Sequence, residues 1–429
     1  MSRPLFACFA LAPLLALACG SSPASSTTRT SGTGGGSGGA GGSGSGGGEG
    51  IACPASGVSK GPWSLAIDGT SAKIRWEACR AGSLPDLTLT PEKGGAEIKA
   101  ASIASPFEVT ETFTAPLAPD APPDFAGTYY MHEAKLDKLA PSTCYTYALG
   151  ADPAAKGRFC TARNSGDDFS FLAIGDTNPG LGPYTHDVLQ HSLVKNPDFV
   201  IHGGDIQYYA SGLETWASWF PVMQPMLSQG GFFPAIGNHE SEKVTEFDEY
   251  ATRFFSGAGF DGEGGYYRFQ SGGVWFFSLD TEDTLDEGSA QALWFAKELE
   301  DASKQPGFRF SVVYLHRPWV SCGDVSQDPE TRKRFEPLFA QFGVTLIFQA
   351  HMHGYERFEL GAFTYITTGG GGGRIVDPHQ NPDRPECADL KIWGGFRHAV
   401  VVDVKNGMLT GTAIDDAGVV QDTFDKVVP

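Results

Sequence analysis

Ile201-His202-Gly203-Gly204-Asp205-Ile206-Gln207-Tyr208 is the stretch on which the reading of this chain turns. It follows an apolar run, Asp198 to Ile201, that reads as a buried strand. Two glycines let the backbone turn sharply where the strand ends. An acid is delivered at that turn, and a tyrosine follows three residues later. A carboxylate has two oxygens and can bridge two cations, and a phenolate three residues on can reach one of them. Alone, Gly-Asp-x-x-Tyr also fits a plain strand ending in a turn, so its weight depends on what the other strand ends carry.

Four more strand ends carry ligand-type residues, in order. Phe171 to Gly175 leads to Asp176, and Phe233 to Gly237 leads to Asn238-His239-Glu240. Val312 to Leu315 leads to His316, and Ile347 to Ala350 leads to His351-Met352-His353. The carboxyl ends of strands are where sites of α/β proteins form. On an extended segment, two imidazoles two residues apart face one side and can serve adjacent ions. Each element alone is compatible with a loop. Five oxygen and nitrogen donor groups, all at strand ends, point to a two-metal hydrolytic site.

The blocks Gly175-Asp176-x-Asn178, Gly204-Asp205-x-x-Tyr208, Gly237-Asn238-His239-Glu240, Val313-x-x-His316 and Ala350-His351-x-His353 resemble the metallophosphoesterase superfamily. Within it they resemble the purple acid phosphatases, and Arg317-Pro318-Trp319 and Gly354-Tyr355-Glu356-Arg357 continue the likeness. The resemblance implies one ion held by Asp176, Tyr208 and His353, a second held by Asn238, His316 and His351, and Asp205 bridging them. It implies Fe(III) coloured by tyrosinate at the first position and a divalent ion (Zn, Mn or Fe) at the second. Hard phenolate and carboxylate donors suit a trivalent ion, and imidazoles with an amide suit a divalent one. The family usually has Gly at the positions of Asn178 and Ala350. The segment Val320 to Ser326 lacks the histidines with which plant-type members contact substrate.

The implied reaction is in-line hydrolysis of a phosphomonoester by a metal-bound hydroxide. His239 is expected to protonate the leaving oxygen or bind the phosphoryl group, with Glu240 orienting it. Asn178, Arg317 and Tyr355 are expected as supporting residues around the ligands. His202 is a marginal neighbour of Asp205, and the Gly369 to Gly373 run reads as a tight loop at the site rim. The alternatives are a phosphodiesterase or nucleotidase of the same superfamily, or a surface binding protein with a degenerate catalytic domain.

Outward from this centre, residues 164–429 alternate apolar runs with helical-period stretches, an α/β (α+β) pattern. The resemblance makes it a metallophosphoesterase layered β-sandwich flanked by helices. Candidate helices are Leu213 to Leu227, Ser289 to Ala302 and Glu330 to Phe342. Residues 51–163 read as all-β, and Ala134 to Tyr147 resembles the late strands of a fibronectin type III sandwich, with a corner tyrosine. His132, in that segment, reads as structural. Residues 20–50 are almost entirely Gly, Ser, Thr and Ala and read as a flexible tether. Residues 1–19 read as an export leader. Its end, Leu15-Ala16-Leu17-Ala18-Cys19, fits either an ordinary signal-peptidase site or an imperfect lipobox; lipidation of Cys19 is favoured. The expected location is therefore outside the cytoplasm, either as a cell-envelope lipoprotein or as a secreted protein.

Of the 8 cysteines, six lie beyond the leader, an even number in an exported chain. The proposed pairs are Cys53-Cys79, Cys144-Cys160 and Cys322-Cys387. The middle pair follows from a hairpin that sets Cys144 opposite Cys160. At 429 residues the chain can bury a sizeable core. The net charge of -19 argues against a nucleic-acid-binding surface, though bound cations would still allow a small phosphate-ester substrate. Membrane attachment is expected only through the possible lipid.

Overall fold

A computed structural model describes residues 53–82, 87–150, 154–242, 254–255 and 265–429. The leader with Cys19 and the 20–50 tether lie outside the described residues. The apolar runs form strands because they offer β-branched and aromatic side chains to both faces of a buried sheet. Phe169–Ile174, Phe199–His202 and Gly231–Pro234 run parallel as neighbours, with Ala173 opposite Ile201 and Ile201 opposite Phe233. Their carboxyl ends therefore emerge along one edge. In a second sheet, Phe310–Tyr314 and Val344–Gln349 are also parallel, with Val313 opposite Ile347. They deliver two more chain ends to the site.

The first sheet has ten strands and the second seven. Phe171, Ile201, Phe233, Phe276, Val312 and Phe348 share one buried core cluster drawn from both sheets. Each such side chain contributes about 1.5–3 kcal/mol on burial. Helices cover the outer faces. Tyr184–Ser192 and Trp216–Leu227 pack on the ten-stranded sheet through Val188, Leu189, Trp219 and Met223. Ala290–Ser303 and Pro329–Phe342 pack on the seven-stranded one through Phe295, Leu299, Phe335 and Phe339. The layered sandwich flanked by helices is thus as expected. The helix Tyr184–Ser192 was not expected, since its nine residues offer few apolar positions at helical spacing.

The front segment forms two four-stranded sets. Ile98–Ala100, Leu87–Pro91, Cys144–Leu149 and Lys156–Cys160 make their own sheet. Val58–Leu65, Ala72–Ala78, Gly127–Leu136 and Ile103–Val109 instead extend the ten-stranded sheet, joined to it where Ser64 pairs with Gly231. The three disulfides pair as anticipated, with Cα separations of 5.7, 3.9 and 5.9 Å in chain order. Cys144 lies directly opposite Cys160 in its hairpin. His132 stacks on Trp76 at 4.9 Å and its Nδ1 lies 2.9 Å from the Ser102 hydroxyl, a packing role.

Candidate metal centre

Three ligand-type residues sit in the left-handed backbone region: Asp176 (φ 57°), Asp205 (φ 50°) and His351 (φ 66°). Left-handed backbone is uncommon for residues other than glycine and persists where the surroundings over-determine it. Cross-links between the strand ends do so. Asp176 N–H donates to the Gly204 carbonyl, Thr177 N–H to that of Asp205, and Ala350 N–H to that of His316.

The side chains gather into two sets. His316 Nε2 lies 3.0 Å from Asn238 Oδ1, 3.1 Å from His351 Nδ1 and 3.3 Å from Asp205 Oδ1. His353 Nε2 lies 3.0 Å from Asp176 Oδ1 and 3.3 Å from the Tyr208 hydroxyl. Asp205 belongs to both groupings, with His316 and His351 on one side and Asp176 and His353 on the other. The seven residues expected as ligands are therefore brought together, and in the expected division.

Proton positions show what these sets accommodate. His316 Nδ1 is 3.0 Å from the Gly203 carbonyl, and His353 Nδ1 is 2.8 Å from that of Arg374. Each Nδ1 must carry the proton it donates there, which leaves Nε2 of the neutral imidazole as a lone pair; at His353, burial works to lower the pKa but Asp176 outweighs it and raises it. At the first set, imidazole, amide and carboxylate lone pairs then converge on one point. Donors bound at about 2.0–2.2 Å to one ion stand roughly 3 Å apart, the spacing found here. Burial pushes the Asp205 carboxyl well above the usual carboxylate range, and the charges of Asp176 and Glu240 push it further. Burial likewise pushes the Tyr208 phenol well above its ordinary value, with Asp205 and Asp176 adding to the effect. Burial also lowers His316 to about 3, so its imidazole stays neutral and available as a ligand. Anions that repel one another in a buried site require a positive counter-charge there. The residues present fit two cations.

Around the ligands some expectations change. Glu240 does not orient His239. Its buried carboxylate accepts the N–H groups of Gly237, Asp205 and Ile206, each at 2.8 Å, and so clamps two ligand loops together. His239 Nδ1 instead meets Glu242 Oε1 at 2.7 Å and the Ser211 hydroxyl at 3.2 Å. Its Nε2 lies 3.8 Å from Asp205 Oδ2, and its ring lies against that of Tyr208 at 4.2 Å. Arg317 does reach the site: its Nη1 is 3.5 Å from His351 Nε2, while Glu282 holds the guanidinium at 2.6 and 2.9 Å. Tyr355 does not belong to it. Its hydroxyl donates to Asp422 in the last strand, and its ring packs on Phe396 and His398. Asn178 is buried, and its amide oxygen has no partner among the described residues. His202 is turned to the Thr177 hydroxyl at 3.0 Å and to Phe232.

Sequence reasoning missed Glu214, whose carboxylate accepts Tyr208 N–H at 2.7 Å and Gly180 N–H at 3.1 Å. It also missed Glu242 and Glu282. The glycine run is more than a rim. Gly373 N–H donates to the Asp176 carbonyl, and a Cβ at Gly373 would stand 2.8 Å from the His353 ring. A Cβ at Gly369 would meet the Met352 carbonyl and stand 3.0 Å from Asp176 Oδ2.

The sequence model of the calcineurin-like phosphoesterase family matches residues 169–355, the span that holds every one of these ligands. Purple acid phosphatase 15 of Arabidopsis thaliana is 28% identical over 321 residues, which are 62% of this chain and 59% of that protein. The chain thus spans little more than half the length of the curated relatives it matches. A purple acid phosphatase from yellow lupin seeds superposes with a TM-score of 0.66 at 19% identity, covering 85% of this chain and 73% of that one. PhoD superposes with a TM-score of 0.58 at 12% identity, covering 87% and 90%. These two likenesses concern the fold. Residues 169–355 are thus similar to the calcineurin-like phosphoesterase family. The chain's homologues include purple acid phosphatases.

Proposed function

We propose that the protein is an exported binuclear-metal hydrolase of phosphomonoesters, of the purple acid phosphatase type. The observation that carries the reading is the convergence of two donor sets on a shared Asp205. Asp176, Tyr208 and His353 would hold a ferric ion, and Asn238, His316 and His351 would hold a divalent one. Two such cations activate water and neutralise phosphoryl oxygens. The chain's own residues do the rest. Asp205 fixes the spacing of the two sets. Tyr208 supplies a hard anionic donor and packs against His239, holding that ring over the site. Glu242 accepts from His239 Nδ1 and so aims Nε2 inward, and because burial lowers this imidazole to about 4 it gives a proton to the leaving oxygen only at acid pH. Arg317, fixed by Glu282, presents a guanidinium beside His351 for a phosphoryl oxygen.

Export is supported by the leader and by the disulfides, and lipidation of Cys19 remains part of this reading. The front segment is proposed as fibronectin III-like, on its two four-stranded sets and on Tyr145, whose hydroxyl accepts Ala140 N–H at 2.9 Å as a corner tyrosine does.

The test is a visible spectrum and metal analysis of one purified sample, with p-nitrophenyl phosphate hydrolysis followed across pH. A violet protein with about one iron per chain is expected, its band lost in Tyr208→Phe. A colourless protein holding two divalent ions and preferring diesters would overturn the purple-type assignment and leave the binuclear site standing.

A further inference from the structure

The acid-rich chain carries 50 carboxylates against 31 basic residues, so a guanidinium near the site should find a carboxylate partner easily. Arg317 is held by Glu282, and Arg357 by Asp422 at 2.6 Å. Arg397 is not held in this way. It is half-buried, its Nε is shut off from solvent with no hydrogen-bond partner among the described residues, and none of their carboxylates forms an ion pair with it. Its guanidinium lies over the face of the Tyr184 ring, 3.4 Å from the centroid.

Its position in the fold is informative. The strand His398–Lys405 runs antiparallel to Phe169–Ile174, with Val400 opposite Ala173. The paired register ends at Val400 and Ala173, and beyond it the glycine loop lies between the two chains, with Gly371 N–H donating to the Gly175 carbonyl. His398 N–H donates to the Gly370 carbonyl, which fixes this turn against the glycine loop that supports Asp176 and packs on His353. Tyr184 opens the helix Tyr184–Ser192, eight residues beyond Asp176. The glycine loop reaches both neighbours, since a Cβ at Gly372 would meet Thr185, next to Tyr184, and one at Gly373 would meet the His353 ring. Arg397 thus flanks the Asp176–His353 side of the centre, while Arg317 flanks the His316–His351 side.

A half-buried guanidinium that has no carboxylate partner among the described residues can take an anion in use. Arg317 already serves the side where it stands, and two cations would neutralise the scissile phosphoryl group. The charge of Arg397 is therefore available for something else. Resting on the phosphoesterase reading above, we infer that Arg397, braced by Tyr184, is a specificity-determining residue that binds a second anionic group of the substrate. The substrate class is then phosphate compounds bearing a further phosphate or carboxylate, in preference to esters of neutral alcohols. Lysine would supply the charge without the planar fork or the ring stacking, and so would replace it only in part.

Arg397→Gln and Arg397→Lys separate this from a structural role. Wild type and variants are assayed with p-nitrophenyl phosphate, inorganic pyrophosphate and phosphoglycolate. Arg397→Gln is expected to raise KM for pyrophosphate about tenfold, the size of one lost charge-assisted contact. KM for p-nitrophenyl phosphate and kcat for both should stay within about twofold, and Arg397→Lys should recover part of the loss. The pyrophosphate and phosphoglycolate arms show whether the second anion is a phosphate or a carboxylate. Equal changes across all three substrates, or none, overturn the inference. Calorimetric binding of methylenediphosphonate against methylphosphonate reads the same contact without turnover. If nothing is hydrolysed yet Arg397→Gln removes the preference for the diphosphonate, the catalytic reading falls and the anion site stands. If the preference is absent from the wild type, the anion site falls.

Discussion

Glu240 separates what a residue's place in a motif tells from what its side chain does. It stands next to His239 in sequence, yet its carboxylate turns away and collects three backbone N–H groups from two loops. Burial raises its pKa to about 7, and those three donors work against the rise. Glu240→Gln leaves one acceptor oxygen where there were two. At least one N–H then loses its partner, at a cost of about 1–3 kcal/mol. Because the clamp orients Asn238 and Asp205, ion affinity should fall about 10–100-fold as well. Urea unfolding and metal content of the dialysed protein check the two effects, and a variant with normal content would show that the clamp serves stability alone. The ligands themselves were legible because each sits at the end of an apolar run and belongs to a recognisable block. Glu214, Glu242 and Glu282 were not. Glu214 meets backbone amides and Glu282 meets Arg317, 35 residues away, which no local spacing encodes, while Glu242 meets His239 only three residues away but lies outside any motif block.

At the scale of elements, the strands and the three longer helices could be read because their apolar residues recur at periods of 2 and 3.6. Their starts were nearly right because Thr215, Ser289 and Asp328 cap them, each accepting a backbone N–H of the first turn. Tyr355–Leu360 and Leu390–Gly394 escaped, since their alternation is broken by buried Glu356 and by the exposed Trp393. The glycine loop was seen, but its purpose was not, because close approach leaves no trace in composition. It lies so near the ligands that a single methyl group matters. Gly369→Ala should push Met352 and Asp176 apart, costing about 1–3 kcal/mol and reducing occupancy of the Asp176 set. Gly69→Ala, where a Cβ would meet nothing within 4 Å, should stay within about 0.5 kcal/mol. Thermal unfolding with and without added metal distinguishes them, and equal behaviour of the two variants would remove the loop from the site's support.

For the whole molecule, buried ionisable groups set where on the pH scale the fold is most stable. Burial lowers His202 and His398 from 6.5 to about 4. Between those values the unfolded chain binds protons that the native one refuses, so stability is complete above 6.5 and is lost as pH falls towards 4. Burial raises Glu356 from 4.5 to about 7 and Glu214 to about 8. There the native state holds protons that the unfolded chain has released, so stability is complete below 4.5 and is lost as pH rises through 7 to 8. Between 4.5 and 6.5 the two trends oppose each other, and outside that window one of them acts alone. A net charge of -19 at pH 7 adds self-repulsion on the alkaline side. The stability maximum should therefore lie on the acid side of neutrality, between pH 4.5 and 6.5, where an acid phosphatase would work. Calorimetry at saturating metal from pH 3.5 to 8.5 tests this. Glu356→Gln should flatten the alkaline limb by roughly 2–6 °C in Tm, and His398→Gln the acid limb by a similar amount. A Tm that climbs steadily to pH 8 in the parent, with Glu356→Gln unchanged, would mean that these carboxyl groups are already ionised in the native state and that their backbone donors outweigh burial.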